Sequence, residues 1–110
     1  RRVLSFGCSI CCPSVTVNTK ITGKHPYKTD MKCDLDWDTW YQMTKFKGNF
    51  LYISKELMDH RIHEGSETSN LIENNTRLDE DFIMFSKFWP KSIAKSFMKI
   101  YSKAIETNKM

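Results

Sequence analysis

The sequence predicts an α/β fold, a few strands followed by a helical C-terminal tail, and three observations lead to it. β-branched residues alternate over 13–18, a compact apolar run fills 50–53, and three stretches beyond residue 35 repeat apolar residues at the helical period. At 110 residues, with 40% hydrophobic and 13% aromatic side chains, the composition is that of one globular domain over 1–110 rather than of a disordered segment.

Each element follows in order. Pro13-Ser14-Val15-Thr16-Val17-Asn18 reads as a strand, and Gly23 and Pro26 break the loop behind it. From Asp36, the residues Trp37, Trp40, Tyr41 and Thr44 fall at i, i+3, i+4 and i+7, which stacks bulky groups on one helical face. Gly48 is expected to end this helix, with Lys45 and Lys47 in the last turn complementing its dipole. Phe50-Leu51-Tyr52-Ile53 reads as a short buried strand, and 55–63, the most ambiguous stretch, as an extension carrying Leu57 and Met58 inward.

A polar stretch over 64–69 precedes two more helices. Thr76 is the candidate N-cap of the first, with Asp79, Glu80 and Asp81 in its first turn and Leu78, Phe82, Phe85 and Trp89 on its apolar face. Pro90 stops that helix and starts the next. Over 91–105, Ile93, Phe97, Ile100 and Ala104 define the expected buried face, while Lys91, Lys95, Lys99 and Lys103 form a basic stripe.

Charge and cysteines narrow the functional classes. A formal charge of +4 and a pI near 8.9 favour polyanionic partners such as membrane surfaces, nucleic acids and nucleotide diphosphates. No run approaches the roughly 20 apolar residues that span a bilayer, and the start at Arg1 reads as a cut. Cys8, Cys11, Cys12 and Cys33 are spaced neither as a disulfide framework nor as two separated zinc pairs, so reduced thiols are expected. A zinc site built from Cys8, Cys11, Cys33 and His25 is the alternative.

Two clusters could carry chemistry. Asp34-Leu35-Asp36-Trp37-Asp38 gathers three carboxylates at a helix start, where they serve either as capping groups or, facing a pocket, as a general base. His60-Arg61-Ile62-His63-Glu64 sets two imidazoles around a guanidinium, a set suited to a phosphate or a metal and equally to an ordinary surface.

The order and spacing of several short motifs resemble the C-terminal half of bacterial family-2 glycosyltransferases of GT-A type. They are Cys12-Pro13-Ser14-Val15-Thr16, Leu35-Asp36-Trp37-Asp38-Thr39-Trp40, Lys47-Gly48-Asn49-Phe50-Leu51-Tyr52-Ile53, Leu57-Met58-Asp59-His60-Arg61-Ile62-His63, Arg77-Leu78-Asp79-Glu80-Asp81 and Phe88-Trp89-Pro90-Lys91. The resemblance implies a partial GT-A fold in which Asp36 is the catalytic base, deprotonating an acceptor hydroxyl as it attacks the anomeric carbon of a nucleotide sugar. Leu35 stands where the family often has Glu. Trp37 and Asp38 would line the acceptor site. His60-Arg61-Ile62-His63 matches the family's tyrosine-Arg-x-His signature with His60 in place of tyrosine. Arg61 would then steady the leaving group and His63 would approach the metal, Mg²⁺ or Mn²⁺ in a complete enzyme.

An Asp-x-Asp motif within a nucleotide-binding region does not precede these elements, so the chain is expected to be inactive alone and to need no cofactor by itself. The implied partners are a nucleotide sugar and a saccharide or lipid-linked acceptor in cell-surface polysaccharide synthesis, with inversion at the sugar and no nucleic acid. Self-association through an exposed apolar edge and a cytoplasmic location, with peripheral contact at the inner membrane face, complete that expectation. The competing class is a non-catalytic module whose basic amphipathic helix binds a membrane or an acidic partner.

Overall fold

The computed structural model describes residues 1–28, 30–61, 63, 65 and 76–108, and the side chains up to residue 104. Its regular elements are helices: α1 (Thr19–Thr22), α2 (Leu35–Met43), α3 (Thr76–Ser86) and α4 (Lys91–Asn108), preceded by 3-10 turns at Val3–Phe6 and Cys12–Ser14. Among the described residues there is no strand. The α/β, partial GT-A expectation is therefore corrected to an all-helical arrangement.

The correction has a physical cause at each place. A strand is stable only as a member of a hydrogen-bonded ladder, and an isolated extended run has no partner for its N–H and C=O groups. Residues 50–53 have no ladder partner among the described residues, and the Ile53 carbonyl accepts only the nearby Lys55 N–H at 2.9 Å; the run is irregular and solvated, with Leu51 and Tyr52 86% and 87% exposed, rather than a buried strand. Leu57 and Met58 likewise point outward. At 13–18 the backbone begins in the Cys12–Ser14 turn, and Asn18 caps α1 by accepting the Lys20 N–H through its Oδ1 at 3.1 Å.

The expected helix at residue 36 is present as α2, and it turns its face of Trp37 and Trp40 fully inward. It stops at Met43, where Lys45 and Phe46 close 3-10-type bonds onto Gln42 and Met43, so Gly48 lies beyond its end and Lys45 and Lys47 lie outside its last turn. Thr76 is the first residue of α3 rather than the residue before it, and of the three acids only Asp79 belongs to the first turn.

Helices α3 and α4 form a hairpin about Pro90, whose carbonyl accepts the Ala94 N–H at 2.9 Å as the first bond of α4. The inward face of α4 is rotated from the expected one. Ala94 is fully buried, with Phe97, Met98 and Tyr101 half-buried beside it, whereas Ile93, Ile100 and Ala104 are exposed. A buried alanine permits close helix contact, which a bulkier side chain at that position would prevent.

The core is aromatic. Trp37 meets the Phe85 ring edge-on at 5.0 Å, Phe85 stacks on Phe97 at 5.7 Å, and Tyr101 closes on both Trp37 and Phe85. The first turn is fastened over these rings by two indole N–H donors, Trp37 to the Leu4 carbonyl at 2.9 Å and Trp89 to the Ser5 carbonyl at 2.8 Å. Gly7, at φ +142°, follows directly. A β-carbon there would meet Tyr101 Cε2 at 2.8 Å, so the chain passes the ring only as glycine.

Candidate functional site

The acids at the start of α2 are the chemical centre of the fold, and each has a different environment. Asp34, the residue before α2, makes no cap through its own side chain. It is buried against Asp81 of α3, which is fully buried. Apart from a proton shared between the two carboxyls, Asp34 Oδ2 and both oxygens of Asp81 find no hydrogen-bond donor among the described residues, and the Arg77 Nε nearest to Asp81 is 3.8 Å away. Burial and then the facing Asp81 push Asp34 up to about 9, and burial also raises Asp81, against which the hydrogen bond from Asp34 acts. The pair thus favours one shared proton over two charges.

Glu80 does the capping instead. Its carboxylate reaches across from α3 and accepts the backbone N–H groups of Lys32 at 2.7 Å, Cys33 at 2.6 Å and Asp34 at 2.9 Å. These donors lie at the positive end of α2, where a carboxylate is favoured by both hydrogen bonding and the dipole. Asp81 and Glu80 were missed as site residues in the sequence. The signal for Asp81 was present: at i+3 from Leu78 and i−4 from Phe85, it interrupts the apolar face of α3.

Asp36 and Asp38 point elsewhere. Asp38 is nearly buried and forms an ion pair with Lys87 Nζ at 2.6 Å, backed by Gln42 Nε2 at 3.3 Å. Asp36 is half-buried. Its Oδ1 accepts the Trp37 N–H at 2.8 Å and its Oδ2 the Cys8 thiol at 3.8 Å. Burial and the nearby Asp36 charge push the Cys8 thiol up to about 12, so it remains a neutral donor. Cys8 also lines an open pocket of about 480 Å³ together with Arg2, Val3, Phe6, Gly7 and Tyr101. Asp36 therefore lies directly behind one wall of that pocket.

No match is found among protein families, curated proteins or solved structures.

The remaining expected site residues are not gathered here. Trp37 is fully buried, its indole N–H bonded to Leu4, which leaves no surface for an acceptor. Arg61 and His63 lie on the exposed segment beyond α2, and no hydrogen bond or ion pair joins either to Asp36 among the described residues. Ile62 and Glu64 of that motif, and most of the polar stretch over 64–69, lie outside the described residues. All four cysteines are free. Among the described residues no three His, Cys, Asp or Glu side chains form a group able to hold a metal ion. Cys8, Cys11, Cys33 and His25 are thus not gathered into a zinc site, and no role below passes through a metal.

Proposed function

We propose that this chain is the acceptor-side segment of a family-2 glycosyltransferase, with Asp36 as the base that receives the acceptor hydroxyl proton. As that proton moves to Asp36, the hydroxyl oxygen bonds to the anomeric carbon, and the bond from that carbon to the nucleotide diphosphate breaks. The diphosphate leaves with the electron pair. The nucleotide sugar is held by a donor-binding part that these residues do not supply.

The observation that carries the reading is the ordered series of motifs through which Asp36 falls at the position of the base. Its surroundings support the same role. Among the described residues Asp36 is joined only to neutral donors, and it stands behind the wall of an open pocket, where a thiol that turns away would leave Oδ2 to a sugar hydroxyl.

The test is turnover by a polypeptide containing this segment together with its donor-binding part. Asp36→Asn is expected to lower kcat by roughly two to four powers of ten while nucleotide-sugar affinity is kept. Near-normal turnover of that variant would remove Asp36 from the reaction. Sugar transfer by these 110 residues alone would overturn the need for a second part.

A further inference from the structure

The rotation of α4 leaves two isoleucines exposed along one edge of its lysine arc. On a helical wheel Lys91, Lys95, Lys99 and Lys103 cover an arc of about 120°, with Ile100 and Ile93 about 60–80° past its Lys103 edge and the buried Ala94 and Tyr101 about 60–80° past its Lys91 edge. All four lysines lie on exposed positions, and Ile93 and Ile100 are 42% and 65% exposed. Glu106, in the final turn, is the helix's only acidic residue. The first turn extends the apolar strip: Phe6 rests on Trp89 and Phe97 at 5.7 and 5.9 Å yet remains 62% exposed, and Val3 and Arg2 follow it along the pocket rim.

We propose that this face docks the chain on a membrane surface rich in anionic phospholipid. The charge complementarity is one-sided, a row of ammonium groups with almost no acid on the same helix. Lysines suit a diffuse layer of headgroup phosphates and carboxylates because each acts as a mobile point charge. The apolar strip separates this partner from a nucleic acid or an acidic protein tail. Ile93, Ile100 and Phe6 gain by leaving water at the headgroup–acyl boundary, whereas a phosphate backbone offers them no apolar phase. The helix lies in the plane of the surface and does not cross it, since no helix among the described residues is long and apolar enough to span a bilayer. This surface stands independently of the proposed sugar transfer.

Co-sedimentation with vesicles tests it, using neutral phosphatidylcholine alone and phosphatidylcholine mixed with phosphatidylserine. Ionic strengths of about 0.01 and 1 M set the Debye length at roughly 30 and 3 Å. The parent chain is expected to pellet with the anionic vesicles at low salt and not with the neutral ones. Replacing all four lysines by glutamine should weaken that binding by roughly 10²-fold, from about fivefold per lysine less mutual screening. The four-arginine variant should retain it. Ile93→Ser with Ile100→Ser should weaken it by roughly tenfold while leaving its salt dependence unchanged. These side chains are exposed, so far-UV circular dichroism should report the parent helix content in every variant. Equal binding by the parent and glutamine variants overturns the proposal, as does equal binding to neutral vesicles or no pelleting of the parent. Vesicle binding that is indifferent to the two serines, alongside tighter binding to duplex DNA, reassigns the lysine arc to a nucleic acid and also overturns it.

Discussion

Replacing Asp34 by asparagine should stabilise this protein at neutral pH, although it removes a charged group type from the core. In the folded chain Asp34 is pushed from 3.8 up to about 9 by burial and by Asp81, and once unfolded it returns to its ordinary value. Below about pH 4 both states hold the proton, and the pair costs nothing. Between about pH 4 and 9 the folded state binds a proton that the unfolded state has released. Each pH unit in that window therefore subtracts about 1.4 kcal/mol from stability. Above about pH 9 both states are ionised and the loss reaches its limit.

At pH 7, about three units into the window, the deficit reaches roughly 4 kcal/mol for a rigid site. Relaxation of the junction and entry of water would reduce it to about 2 kcal/mol. Asparagine is neutral at every pH, has the shape of the protonated acid, and offers an N–H to the oxygens of Asp81. Asp34→Asn should thus match the parent near pH 4 and exceed it by about 2 kcal/mol at pH 7, with the gap widening towards pH 9. Urea unfolding at a series of pH values, followed by fluorescence of the buried Trp37 and Trp40, measures this directly. A parent whose stability is level from pH 5 to 9 would refute the reasoning, as would an asparagine variant less stable than the parent at pH 7.5.

Glu80→Ala should cost about 3 kcal/mol, since three backbone donors at 2.6–2.9 Å lose a charged acceptor, and Glu80→Gln should rescue little of it because its amide N–H would face other donors. Equal denaturation midpoints for the parent and Glu80→Ala would show that water replaces the carboxylate. Cys8, at about 12, and Cys33, pushed to about 11 by burial and then Glu80, hold only about 10⁻⁴ and 10⁻³ of their thiol as thiolate at pH 8. Exposed Cys11 should therefore react with a disulfide reagent at least tenfold faster than either, with peptide mapping as the readout. Uniform labelling of the three would contradict the half-buried Cys8–Asp36 contact.

What the sequence made legible is what local periodicity encodes. The spacing of Trp37, Trp40 and Tyr41 leads to α2, and Pro90 leads to the hairpin of α3 and α4, because these signals act within a few residues. Strands were misread because an apolar run such as 50–53 states only that a surface could be buried. Whether a ladder forms depends on a second segment, which local reading does not supply. The face of α4 was misread for a related reason. Hydropathy ranks Ile93 and Ile100 above Ala94, but the packed interface selects the small residue that lets α3 approach. Of the candidate site, the acids opening α2 were legible from their place at a helix start. The acid pair of Asp34 and Asp81 was not, since it joins residues 47 positions apart.

The five acids around the start of α2 carry unequal structural commitments, and this bears on the role proposed for Asp36. Asp38 is neutralised by Lys87, Glu80 is saturated by three N–H groups, and Asp34 and Asp81 are locked together around one proton. Each of these four would give up a structural contact to take part in a reaction, and two of them have no exposure to a substrate at all, or almost none. Asp36 differs on both counts: its partners are a backbone N–H and a neutral thiol, and a pocket begins on the far side of that thiol. The surrounding carboxylates also act on it indirectly. By holding the α2 start against α3, Glu80 and the acid pair fix the backbone from which Asp36 projects, the kind of support a base needs to keep its geometry. Loss of Glu80 should therefore lower any turnover that depends on Asp36 through position alone, leaving its pH profile unmoved.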